Sequence, residues 1–194
     1  QYSDNDGAMN QSAGNGASVI LSNSTNETSD ITIGVDVSKF QGTIDWAQAA
    51  SSGVDFAMIR VGYRAQKTGV IYADTNAKYN MQQAAANGIK VGVYFFSSAV
   101  NEAEAIEEAD WVADFIADYS ITYPVAFDCE GFNTSESRQK SMTKAERTDV
   151  AVAFLQEIYD KGYTPMFYAA CSELTNNSQW NIASLEKSFK IWVA

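Results

Sequence analysis

Short β-branched or aromatic runs recur along residues 31–194, at 32–37, 55–61, 90–96, 124–129, 165–170 and 189–194, and the longer stretches between them have helical spacing. Strands separated by helices cannot pair as hairpins, so the crossovers lay them parallel in one sheet. The helical stretches carry their own start signals. Asn101 with Glu104, and Thr143 with Glu146, have the spacing in which a capping side chain and the acid three residues on satisfy each other's backbone N–H groups. Ile106, Trp111, Phe115 and Ile116 then form one buried stripe running to 119, and Val150, Phe154 and Ile158 a second running to Lys161. Gly53, Gly88 and Gly162 each fall between a helical pattern and the next strand, where a left-handed residue ends the helix. This rhythm suits a doubly wound sheet or much of a (β/α)8 barrel, and periodicity does not choose between them.

With 194 residues, 46% of them hydrophobic and 19% charged, the chain can bury one good-sized core. Residues 1–30 differ: they contain no Lys or Arg and are mostly Ser, Asn, Gly and Thr around a Val19-Ile20-Leu21 island. They read as a flexible leader or linker ahead of a domain at 31–194. Against 13 Lys and Arg stand 24 Asp and Glu, a net charge of −11 that repels nucleic acid and anionic lipid. No run is apolar for long enough to span a membrane, and residues 1–30 lack the form of a signal peptide. With 0 His, the imidazole-dependent triads, dyads and usual catalytic zinc sites are excluded, so any proton transfer falls to carboxylates.

Parallel α/β folds gather reactive groups at the carboxyl ends of their strands. Asp36 stands at the end of the first run, and Asp128 and Glu130 at the end of the fourth, in VAFDCEGF. Residues i and i+2 of a strand share a face, which holds the two carboxyls about 6 Å apart with Cys129 turned away. Their repulsion at an effective dielectric near ~20 is about 3 kcal/mol. That is about two pKa units, enough to keep a proton on one of the pair near neutrality. An acid beside an anion suits glycosidic bond cleavage. Tyr63, Tyr94, Phe96, Tyr168 and Trp192 lie at or near strand ends, where sugar rings could stack.

Plainer readings compete. Asp-x-Glu also occurs at solvated strand edges, and Asp36, Asp128 and Glu130 together could hold Mg²⁺ or Ca²⁺. Arg60 reads equally as an ion-pair partner supporting the acids or as an edge residue, and Arg64 as a surface charge. Asp45 and Asp74 read as helix N-caps, with Asp74 also within reach of the groove. Cys129 and Cys171 could form a disulfide, but the expectation is two buried free thiols.

The segments GVDVSKFQGTIDW (34–46), VDFAMIRVGYR (54–64), GIKVGVYFF (88–96), YPVAFDCEG (123–131), GYTPMFYAA (162–170) and KIWVA (190–194), in that order, resemble glycoside hydrolase family 25. These are the Chalaropsis-type lysozymes, N-acetylmuramidases that cleave peptidoglycan between N-acetylmuramic acid and N-acetylglucosamine. The resemblance covers 31–194, and the opening Gly-x-Asp-x-Ser-x-x-Gln-Gly is specific in combination with Asp-x-Glu. It implies an irregular, flattened (β/α) TIM-like barrel and no cofactor or metal. By the same resemblance Glu130 is the general acid, Asp128 the partner carboxylate that orients the acetamido group or stabilises positive charge, and Asp36 a third acid at the sugar. Tyr63, Tyr94, Phe96, Tyr168, Trp192 and Arg60 would contact substrate. Attack by the acetamido oxygen, by a carboxylate or by water all stay open. The partner implied is a peptidoglycan glycan strand, and the setting secreted or wall-associated, of bacterial or phage origin.

Two departures from the family pattern stand out. The pattern continues past the Trp-x-Ala segment into two further strands, one bearing another active-site acid, whereas the sequence ends at Ala194; the expectation is a barrel lacking its last strands, with an open edge. Phe95 stands where many members carry His. Two alternatives remain: a wall-binding module without turnover, and a chitinase-like family 18 glycosidase, whose longer Asp-x-x-Asp-x-Asp-x-Glu run is not matched by the residues before Asp128.

Overall fold

The computed structural model describes residues 18–22, 32–176 and 178–194. Strands β2 (Thr32–Val37), β3 (Phe56–Arg64), β5 (Lys90–Phe96), β6 (Val125–Asp128), β7 (Pro165–Ala169) and β8 (Lys190–Val193) run parallel in that order. β1 (Ser18–Ser22) adds antiparallel to β2, and β4 (Ile71–Ala73) folds back on β3. β1 and β8 end the sheet without pairing to each other, so it curls into an open half-barrel. The Val19-Ile20-Leu21 island thus forms a strand; the rest of the 1–30 leader lies outside the described residues.

Six helices fill the crossovers: α1 (Trp46–Ser51), α2 (Ala77–Ala86), α3 (Glu102–Ile116), α4 (Lys144–Asp160), α5 (Cys171–Asn176) and α6 (Ile182–Glu186). Their starts follow the sequence signals closely. Thr143 and Glu146 form the reciprocal box, and Asn101 and Asp45 each accept from the amide three residues on. Glu104 instead reaches one residue further back, to the Val100 amide. Gly53, Gly88 and Gly162 have φ of 89°, 78° and 89°, as their terminating role requires.

Alternation along the strands gives the sheet two faces. The convex face carries Ile59, Val61, Val93, Phe95, Val125, Phe127 and Phe167 under the helices. There Phe127 packs against Phe154, Phe167 and Trp180, and Phe95 against Trp111 and Phe154. Phe56, Met58 and Ala126, with Tyr94, Tyr123, Met166 and Trp192 against them, fill the concave face.

β3 runs three residues past the sequence expectation, and its register on β5 shifts between Arg60 and Gly62. A bulge adds one residue, so Tyr63 turns to the concave face and Arg64 to the helices, the reverse of simple alternation from Arg60. Gly62 is required at the shift, because a Cβ there would lie 2.7 Å from both the Trp111 ring and the Tyr72 carbonyl.

Arg64 is therefore buried, which corrects its reading as a surface charge. Its Nε donates to Glu108 (2.7 Å), Nη2 to Glu107 (2.7 Å) and the Glu104 carbonyl (3.1 Å), and Nη1 to the Gly69 carbonyl (2.7 Å). Burial pushes the Glu108 carboxyl up to about 7, against the Ser97 hydrogen bond and the Arg64 charge that pull it down. Cys129 and Cys171 are both free thiols, but Cys171 is exposed because it opens α5 beyond the strand end.

Removing one member of a buried pair strands the other charge. Arg64→Met is expected to lower unfolding free energy by about 3–5 kcal/mol in urea titration, and adding Glu108→Leu to recover most of that loss.

Candidate active site

Paired residues of parallel strands share a face, so the register shows which side chains meet. At the carboxyl edge, Tyr63 aligns with Phe96, Phe96 with Asp128, Asp128 with Tyr168, and Tyr168 with Trp192. One layer below, Arg60 aligns with Tyr94, and a further layer down Asp36 stands on β2 in register with Met58. Asp36, Arg60, Tyr63, Tyr94, Phe96, Asp128, Tyr168 and Trp192 thus share the concave face, and Glu130 follows β6 at its rim. These side chains are not equally accessible. Tyr94, Tyr168, Trp192, Asp36 and Glu130 are half-buried, whereas Arg60, Tyr63 and Phe96 are buried and pack more than they present. Trp192 meets Tyr168 edge-on at 4.7 Å and Tyr94 at 6.2 Å, giving the β5–β8 side an aromatic wall.

Asp128 is buried, and its Oδ1 has no hydrogen-bond partner among the described residues. Burial raises its pKa well above the ordinary carboxylate value; the Glu130 and Asp36 charges add to the rise and Arg60 opposes it. Burial also raises Glu130, opposed by a hydrogen bond from the Tyr168 hydroxyl and assisted by the Glu173 charge. The two carboxyls titrate together, and the deeper burial of Asp128 draws the shared proton towards it. Beside these anions, burial pushes the Tyr168 and Tyr94 hydroxyls far up, so both remain donors.

The backbone carrying the acids is tied down from below. The Ser97 amide donates to the Asp128 carbonyl (2.7 Å), and the Gln66 side-chain amide to the Glu130 carbonyl (3.1 Å). Gln139 bridges the Ala99 carbonyl (2.8 Å) and the Cys129 thiol (3.5 Å). Gly131, at φ 66°, turns the chain away behind Glu130.

Arg60 does form an ion pair, but with Asp74 rather than with the predicted acids, Nε to Oδ2 at 2.9 Å. Asp74 also accepts from the Lys39 and Asn76 amides, so it joins the turn after β2, the end of β3 and the start of α2. Sequence reasoning gave Asp74 a capping role with the groove within its reach, did not pair it with Arg60, and did not single out Gln66, Gln139, Glu108 or Glu173. Glu173, in the first turn of α5, accepts from the Trp180 indole at 3.1 Å. Its position beyond a strand end was the available signal. Among the described residues no group of three or more His, Cys, Asp or Glu is arranged to hold a metal ion.

The profile of Glycosyl hydrolases family 25 matches residues 35–194. Lysozyme M1 of Streptomyces globisporus is 34% identical over 80 residues, 41% of this chain and 25% of that protein. Among solved structures, the modular autolysin LytC from Streptococcus pneumoniae superposes with a TM-score of 0.65 at 23% identity, covering 73% of this chain and 33% of that one. The bacterial lysozyme from Streptomyces coelicolor gives 0.63 at 23% identity, covering 82% and 72%. The chain spans a quarter of the curated relative and a third of the autolysin.

A hydroxyl bonded to a carboxylate favours its charged form. Tyr168→Phe is therefore expected to move the Glu130 titration to higher pH, read from carboxyl carbon shifts in an NMR pH series.

Proposed function

The chain belongs to glycosyl hydrolase family 25, and on that basis we propose that it hydrolyses the β-1,4 bond between N-acetylmuramic acid and N-acetylglucosamine in peptidoglycan. The carboxyl pair Asp128 and Glu130, in which the buried Oδ1 of Asp128 has no hydrogen-bond partner among the described residues, carries the reading. The catalytic unit is 31–194, to whose sheet β1 (Ser18–Ser22) of the preceding segment adds an edge strand, and the proposed substrate lies outside the cell or at the wall. No helix among the described residues is long and apolar enough to cross a membrane.

The orphan oxygen favours the substrate-assisted route among the three that the sequence leaves open. A 2-acetamido N–H that donates to Asp128 Oδ1 satisfies a buried acceptor and stabilises the Asp128 anion. The shared proton then moves to Glu130, the more exposed of the pair, which delivers it to the leaving glycosidic oxygen as the acetamido oxygen attacks the anomeric carbon. Water next attacks that carbon and gives its proton to the Glu130 carboxylate, and the acetamido group is restored. Asp36 adds negative charge beside the developing cation, while Tyr94, Tyr168 and Trp192 hold the sugar rings.

Reducing-end release from purified peptidoglycan tests this directly. The parent should yield N-acetylmuramic reducing ends, and Glu130→Gln should lose about 10²–10⁴-fold in kcat, the usual worth of a general acid. Products ending in N-acetylglucosamine, or a Glu130→Gln variant as active as the parent, would overturn the assignment.

The pH profile gives an independent check. Because both carboxyls are raised, the basic limb of kcat/KM should lie above the ordinary carboxylate range. Asp128→Asn removes the neighbouring anion, so the remaining activity should lose its proton donor at lower pH than the parent.

A further inference from the structure

The side of the groove opposite the aromatic wall differs from the rest of it. After β2, Ser38 and Gln41 form a reciprocal capping box around a single 3₁₀ turn, Lys39–Gln41, and the Lys39 amide donates to Asp74 at 2.9 Å. This fixed turn holds the Phe40 ring outward, 46% exposed, at the mouth of the site. The Lys39 ammonium lies 5.3 Å from the centroids of both Phe40 and Tyr63, and the Arg60 guanidinium 5.0 and 5.4 Å from the same two rings. Tyr63 stacks in turn on Tyr72 of β4, whose ring is 40% exposed. Two cations and three aromatic rings make one continuous shelf.

Three features of this shelf point to a ligand. Two large aromatic side chains, Phe40 on this turn and Tyr72 on β4, stay exposed side by side with the site. Arg60 is buried, and although its Nη2 lies 2.9 Å from Asp74 Oδ2, it is not aligned to donate there and has no hydrogen bond. The Asp74 carboxylate is already shared among Arg60 Nε and the Lys39 and Asn76 amides. Lys39 and Arg60 are the cationic groups of this shelf, beside the acids Asp36, Asp128 and Glu130 of the same mouth. Distance completes the argument: Tyr63 is in register with Phe96, and Phe96 with Asp128. Two strand spacings separate Tyr63 from Asp128, about 10 Å. The shelf sits beside the cleavage point rather than on it.

We infer that Lys39, Phe40 and Tyr72, backed by the buried Arg60 and Tyr63, form a subsite for a carboxylate-bearing substituent of the glycan, the exposed Phe40 and Tyr72 rings holding the sugar and the Lys39 ammonium, with Arg60 Nη2 beneath it, its acid. The inference rests on the peptidoglycan reading above for the identity of the glycan. The carboxylate has two sources with the same chemistry: the lactyl group of an unsubstituted muramoyl residue, or the peptide attached to it. Either would let the protein separate its substrate from a neutral N-acetylglucosamine polymer, which no other part of the groove does by charge.

Binding, rather than turnover, tests the subsite, so that it can fail separately from the proposed reaction. In a Glu130→Gln background, calorimetry is run with a peptide-free muramoyl tetrasaccharide, its peptide-bearing counterpart and the neutral N-acetylglucosamine tetramer. A charge-assisted contact predicts that at least one acidic ligand binds about tenfold tighter than the neutral one, with the advantage lost in high salt. Lys39→Gln should remove that advantage and leave neutral binding unchanged, Lys39→Arg should keep it, and Phe40→Ala should weaken all three ligands. The acidic ligand that loses more on Lys39→Gln identifies the source of the carboxylate. Equal binding of acidic and neutral ligands by the parent, or a Lys39→Gln loss equal for both, overturns the inference even if the parent chain releases muramic reducing ends. Discrimination that survives in a chain releasing none would retain the subsite and reject the hydrolase reading.

Discussion

Arg64 is a charge placed under the carboxyl edge of a half-barrel, and the positions of the groups above it follow from how it is satisfied. Its guanidinium spans β3, the turn after it and α3, and its own carbonyl accepts from the buried Ser98 hydroxyl at 2.9 Å. Glu108, its partner, also bonds Ser97, whose amide holds the Asp128 carbonyl. Gln66, two residues beyond Arg64, holds the Glu130 carbonyl. A short series of buried polar contacts thus runs from one ion to the backbone of both acids. Such groups contribute little net stability compared with an apolar core, but they allow few alternative arrangements while each needs its partners.

The second buried pair, Arg60 and Asp74, organises the opposite wall in the same way. Around these two arginines the protein assembles acids whose repulsion would otherwise open the site. Arg60 lowers the Asp128 carboxyl, against burial and the Glu130 and Asp36 charges that raise it. The raised carboxyls are the residue of that balance. At Asp128 burial outweighs the Arg60 charge, so a proton stays in the site at a pH where free carboxylates have lost theirs.

Much of this architecture was legible in the chain. Strand runs, capping residues and terminal glycines each report a local requirement of the backbone, and the Asp-x-Glu pair reports its shared face through strand alternation. The bulge in β3 was not legible, because Gly62 signals only that a side chain is excluded there, and the exclusion depends on Trp111 and Tyr72 from other elements. That one residue decides that Tyr63 faces the groove and Arg64 the helices. Arg64 reads as a surface charge in the sequence for the same reason: its carboxylate acceptors arrive from α3, about forty residues on, and no local pattern records them. Asp74 had a visible local role at the start of α2, which concealed its ion pair with Arg60. Exposure of Cys171 likewise depended on where α5 begins relative to the strand.

The distribution of the four tryptophans has an optical consequence. Trp46 and Trp180 are fully enclosed, and Trp111 lies among Phe95 and Phe115 on the helical side of the sheet. Trp192 alone stands in the groove, edge-on to Tyr168, whose hydroxyl reaches Glu130. A sugar settling against that wall changes the polarity around one indole and leaves the other three undisturbed. Intrinsic fluorescence is therefore a built-in reporter of occupancy, with its emitter one side chain away from the acid.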